Sequence, residues 1–97
     1  MAGKLRRTMD ETTSWNRRLV RHTDIRGGHW YQIHEVYYNA AGEIVLWSAN
    51  GIRPGGEDLV TLTNELREML GIVEECCFKH NEAKILDADK LPATRAT

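Results

Sequence analysis

The stretch Trp30-Tyr31-Gln32-Ile33-His34-Glu35-Val36-Tyr37-Tyr38 decides the fold. Trp30, Tyr31, Ile33, Val36, Tyr37 and Tyr38 are aromatic or β-branched, the side chains that suit a pleated, half-buried surface, so the stretch predicts a central strand. Alternation puts Tyr31, Ile33, Glu35 and Tyr37 on one face and Trp30, Gln32, His34, Val36 and Tyr38 on the other. Neither face is cleanly apolar. That mixture implies a sheet covered fully on one side and partly on the other, or a bulge that shifts the register.

Working outward, Asp24-Ile25-Arg26-Gly27-Gly28 precedes the strand and Asn39-Ala40-Ala41-Gly42 follows it, and both read as turns. Trp15, Leu19 and Val20 interleaved with Arg17, Arg18 and Arg21 predict an antiparallel strand before the first turn. Glu43 to Ala49 predicts a third strand after the second. The run Asn50 to Gly56, with Pro54 and three glycines, breaks regular structure. Asp58 is a plausible N-cap for a helix whose stripe is Leu59, Leu62, Leu66, Met69, Leu70 and Val73, continuing through Gly71 towards Cys77.

The expected fold is therefore α+β: a three-stranded antiparallel meander covered on one face by a C-terminal helix, in the order β-β-β-α. Residues 1–13 read as a flexible arm, 14–86 as one domain with Ile85-Leu86 docking as an extended piece, and 87–97 as a frayed tail.

The chain has 97 residues, enough for one modest core, and a formal net charge of −1. Residues 1–26 carry seven Lys/Arg against three Asp/Glu and the remainder six against eleven, so a basic N-terminal quarter precedes an acidic body. Cys76 and Cys77 are adjacent, where a mutual disulfide is strained, which points to reduced thiols and a cytoplasmic protein. No apolar run approaches the roughly 18 residues of a membrane span.

Residues 14–70, a little over half of the chain, resemble a family of small bacterial proteins of uncharacterised activity. The resemblance rests on Ser14-Trp15-Asn16 before a basic strand, Trp30 to Tyr38, Gly42, Trp47, Pro54-Gly55-Gly56-Glu57, and Glu65-Leu66 with Met69-Leu70. It implies a small α+β protein and carries no catalytic residue or cofactor. Residues 71–83 lengthen the chain relative to that pattern. A looser similarity of topology links the chain to the β-β-β-α half of HicB-type antitoxins, although no DNA-binding segment follows.

Candidate chemistry is sparse. His29 and Glu35 share a face that His34 does not, and their spacing matches no zinc signature. Cys76 with His80 supplies two soft-metal ligands at helical spacing, too few for a site. No acid, base and nucleophile come together, so the sequence predicts neither an enzyme nor a metal or cofactor. Two surfaces remain. The sheet edge at Val45, with an aromatic face of Trp30, Tyr38 and Trp47, suits a protein partner or a homodimer. The alternative is nucleic-acid contact through Trp15, Arg17, Arg18 and Arg21, with Arg6, Arg7 and Arg26 nearby; the sequence pI of about 6.4 argues against it.

Overall fold

The computed structural model describes residues 11–77 and 82–95. Strand β1 spans Ser14–Thr23, β2 His29–Tyr38 and β3 Ile44–Ser48, followed by helix α1 at Leu59–Cys77 and two short strands, β4 at Leu86–Asp87 and β5 at Thr94–Arg95. The sheet order is β4-β1-β2-β3-β5. The three-stranded antiparallel meander followed by one helix is the fold expected from the sequence; β4 and β5 are additions to it.

Turn chemistry fixes the meander. The Asp24 carboxylate accepts from the amides of Arg26 (2.8 Å) and Gly28 (2.9 Å), and Gly27 takes φ +84°, which a side chain would resist. The same device closes the second turn: Asn39 Oδ1 accepts from the amides of Ala41 and Glu43, each at 3.0 Å, with Gly42 at φ +80°. Between the turns β1 and β2 pair over ten residues, from Ser14 opposite Tyr38 to Thr23 opposite His29. The β2–β3 register shifts between Tyr37 and Tyr38, so that Tyr37 faces Leu46 while Tyr38 faces Ile44; the bulged residue is Val45.

Each sheet face has its own small core. On one side Leu19 and Ile33 pack with Cys76 of α1, supported by Ile52, Met69, Ile72, Val73 and Ile85. On the other, Val20, Val36 and Trp47 pack with Tyr38, Ile44, Leu86, Ala88 and Leu91. The second set includes the stretch read as a frayed tail from residue 87. Instead, β4 pairs parallel with β1 (Leu86 opposite Val20), a 3-10 turn runs through Ala88–Lys90, and β5 pairs parallel with β3 (Thr94 opposite Trp47). Residues 86–95 thus form a strap from one edge of the sheet to the other. Crossing four strand spacings requires about 19 Å, within reach of the eight residues 87–94. The sequence concealed the strap because its apolar residues, Leu86, Ala88 and Leu91, lie among charges and Pro92 without strand or helix period.

Helix α1 begins as expected: Asp58 Oδ1 accepts from the Thr61 amide at 2.7 Å. Its orientation differs from the stripe read in the sequence. Met69, Ile72, Val73 and Cys76 meet the sheet, while Leu59, Leu66 and Leu70 are 80%, 48% and 57% exposed. The physical reason lies on β1: Arg17 reaches Glu65 at 2.8 Å and Glu68 at 3.4 Å, which turns the Glu65 side of the helix inward and the leucines outward.

Candidate interaction surfaces

The residues expected to contact a partner are divided by the strap. Trp47 is only 7% exposed, and its indole Nε1–H donates to the carbonyl of Pro92 at 2.7 Å, so it is a core residue under the strap rather than an open contact. Tyr38 is half-buried, accepting from Arg18 Nη1 (3.0 Å) and donating to Asn16 Oδ1 (2.8 Å). Val45 is half-buried at the bulge. Trp30 is 46% exposed, stacked on His22 at 3.9 Å between ring centroids and 9° between planes. The outer edge of β3, expected to be open, is covered by β5 at Trp47 and Ser48. Among the described residues no strand lies on the outer side of Ile44–Leu46, which β2 pairs on the inner side.

The arginine strand is occupied with its own fold. Arg17 serves the two helix glutamates, Arg18 donates to Tyr38 and to the Lys84 carbonyl (2.9 Å), and Arg21 pairs with Asp87 at 3.2 Å. The Glu65 hydrogen bond, the largest influence, holds the Arg17 pKa above its ordinary value. Trp15 is 55% exposed and lies 6.5 Å from Tyr37. Arg6, Arg7 and His80 lie outside the described residues.

His29, His34 and Glu35 are not brought together. His29 bonds Thr23 at the exposed end of the hairpin, and Glu35 accepts from the Tyr37 hydroxyl. His34, fully buried, meets a residue the sequence reading passed over: its Nε2 lies 3.0 Å from Nε2 of His22. His34 Nδ1 is 3.0 Å from the Ser48 carbonyl, which only accepts, so Nδ1 carries the proton and Nε2 presents a lone pair. His22 is therefore the donor. Burial lowers the pKa of both rings; Asp89 opposes this at His22, while at His34 the Ser48 carbonyl opposes it and His22 adds to it. The register of the hairpin sets His22 opposite Trp30, on the sheet face that Trp30 shares with His34, which was the available signal for the pair.

On the helix side, α1, β1, β2 and the strap as far as Leu91 line an open cleft of about 1240 Å³, with Leu19, Tyr31, Ile33, Met69, Val73 and Ile85 among its apolar residues. Cys76 is buried, and desolvation, its largest influence, raises its thiol pKa; Cys77 is exposed. Among the described residues no group of three or more His, Cys, Asp or Glu side chains is placed to hold a metal, and no helix is long and apolar enough to cross a membrane.

Met69 and Val73 of α1 line the cleft, whereas Leu66 and Leu70 of the same helix lie outside its lining and are exposed. Comparisons with protein families, with curated proteins and with solved structures each found no match to this chain. The site therefore stands on its own geometry.

Proposed function

We propose that this protein is a non-catalytic binding module that works by pairing its helix α1 with the same helix of a second copy. The observation that carries this is the outward seam of α1. Leu59, Thr63, Leu66, Leu70, Val73 and Cys77 follow at alternating four- and three-residue steps, the spacing at which one helix interlocks with another. The seam borders the sheet contacts of Ile72 and Cys76 and shares Val73 with them, while Leu59, Leu66 and Leu70 stand clear of the sheet.

The order of steps is the same from either end, as a two-fold axis across the helix requires. Antiparallel copies set Leu66 of one opposite Leu70 of the other. A 19-residue helix offers a seam about 28 Å long. Burying three leucines per copy that stand half to four-fifths exposed supplies about 1–2 kcal/mol for each. The edge of β3 and the Trp47 face serve this reading less well, because the strap covers them.

Light scattering on size-separated protein over a range of concentrations tests the reading. The expected result is a dimer at micromolar concentration that becomes monomeric in Leu66→Glu/Leu70→Glu with unchanged circular dichroism. A wild-type chain that stays monomeric at several hundred micromolar would overturn it.

A further inference from the structure

The strap is attached far more lightly than the sheet it crosses. It pairs with β1 only at Leu86 and Asp87 and with β3 only at Thr94 and Arg95, whereas β1 and β2 share a ten-residue ladder. Between those ends it sets Leu86, Ala88 and Leu91 against Val20, Val36 and Trp47, while Asp89, Lys90, Pro92, Ala93 and Thr94 are exposed. Nothing among the described residues lies over it. A segment with two short ladders and few buried side chains opens at a lower free energy than the sheet beneath it.

What the strap leaves behind on opening specifies what replaces it. The Trp47 Nε1–H loses the Pro92 carbonyl, the β3 edge loses its neighbour, and the hollow over Val20, Val36 and Trp47 loses Leu91. A replacement must offer an apolar side chain, a carbonyl one residue later, and then an extended backbone to continue the sheet. Leu91 sits at φ −88°, ψ 156°, the extended conformation that a following proline imposes. Leu91-Pro92-Ala93-Thr94 therefore arrives at the edge already shaped for it, with less freedom to lose than an ordinary chain.

We propose that the β3 edge and the hollow around Trp47 form a binding site for an extended peptide supplied in trans. Its ligand presents leucine, then proline, then strand-forming residues, and residues 88–95 fill the site as an internal competitor. Peptide addition to a sheet edge takes its affinity from main-chain hydrogen bonds and its selectivity from side-chain pockets, and both are present here. The site lies on the opposite sheet face from α1 and does not depend on pairing of that helix.

Competition gives a signature that a purely structural strap lacks. Apparent affinity scales with the open fraction, so weakening the strap in cis strengthens binding in trans. The probe is a fluorescein-labelled synthetic peptide of residues 88–97, titrated into the full chain and followed by anisotropy. Leu91→Ala in the protein is expected to tighten binding of the natural peptide by about tenfold, whereas Leu91→Ala in the peptide weakens it by a similar factor. Thr94→Pro in the protein, which disturbs β5 and leaves the hollow intact, provides the same tightening should Leu91→Ala fold poorly. Absence of binding to both protein variants at millimolar peptide, equal affinity for all protein forms, or equal binding of a scrambled peptide would each overturn the proposal.

Discussion

Arg17 decides between two uses of the N-terminal strand, and a double-mutant cycle with Glu65 measures which one holds. Its guanidinium is 2.8 Å from Glu65 and 3.4 Å from Glu68, with the Arg17 and Glu65 side chains 19% and 20% exposed and Glu68 59%. Two unit charges 4 Å apart gain about 4 kcal/mol at an effective dielectric of 20. Desolvation takes back much of that, and fully exposed pairs retain only about 0.2–1 kcal/mol. A pair about four-fifths covered with a short charged hydrogen bond belongs between these limits, so the expected coupling is about 1–2 kcal/mol. Arg17→Ala alone should cost about 2–3 kcal/mol, because it also removes the aliphatic stem between β1 and α1. Glu65→Gln should cost less and the double variant less than the sum. Urea unfolding followed by circular dichroism gives the four free energies; for a domain this size each kcal/mol also moves the melting temperature by about 4–8 °C. A coupling below about 0.5 kcal/mol would refute the reasoning. The position of α1 would then rest on apolar contacts alone, and Arg17 would be free to serve phosphate.

Other expectations follow from the strap and the histidine pair. Both His22 and His34 have folded-state pKa values lowered mainly by burial, so the unfolded chain binds protons first. Their contribution is complete above the unfolded value of about 6.5 and is lost as pH falls below it through the folded values. Unfolding free energy measured by urea titration should decline as pH falls below about 6.5, and His22→Phe, which keeps a ring beside Trp30, should flatten the decline while leaving His34 Nε2 unpaired at a cost of about 1–3 kcal/mol. Trp47→Phe removes the indole bond to Pro92 and should cost about 1–3 kcal/mol, with faster tryptic cleavage after Lys90 and unchanged β1–β2 amide protection. In the unpaired Leu66→Glu/Leu70→Glu chain a thiol reagent should modify exposed Cys77 rapidly and buried Cys76 only at the rate of unfolding; equal rates, read by mass spectrometry, would contradict the packing of α1.

How much of this was legible depended on whether a local rule or a tertiary choice was at stake. The hairpins were readable because Asp24, Gly27, Asn39 and Gly42 each satisfy turn requirements within a few residues. The helix was readable from Asp58 and the recurrence of apolar residues. Its rotation was not. Leu59, Leu62, Leu66, Met69, Leu70, Ile72, Val73 and Cys76 span an arc of about 160° on the helix, wider than one contact stripe, so the apolar period alone cannot choose the inward side. Arg17 made that choice from a distant strand. Val45 and Trp47 were placed on the correct strand, but the cover over Trp47 comes from 45 residues later in the chain through Pro92, a contact without any period. His22 lay in a strand read for its arginines, and its relation to His34 emerges only when the hairpin is closed.

The mixed faces of β2 follow from two incomplete covers. Ile33 lies beneath α1, and Val36 beneath the strap with Trp47, while His34 is buried between that apolar cluster and His22. Either cover alone would have favoured a plain alternation of apolar and polar residues. The helix seam and the strap site share no residue, and although Val73, Cys77 and Leu91 line one cleft, Leu66 lies outside it, so substitutions at Leu66 and Leu91 should act additively on stability. Loss of helix pairing by Leu66→Glu should therefore leave peptide affinity unchanged, while Leu91→Ala should leave dimerisation unchanged. Cross-effects between them would mean that the sheet transmits one event to the other, making the strap a regulator of helix pairing rather than an independent binding element.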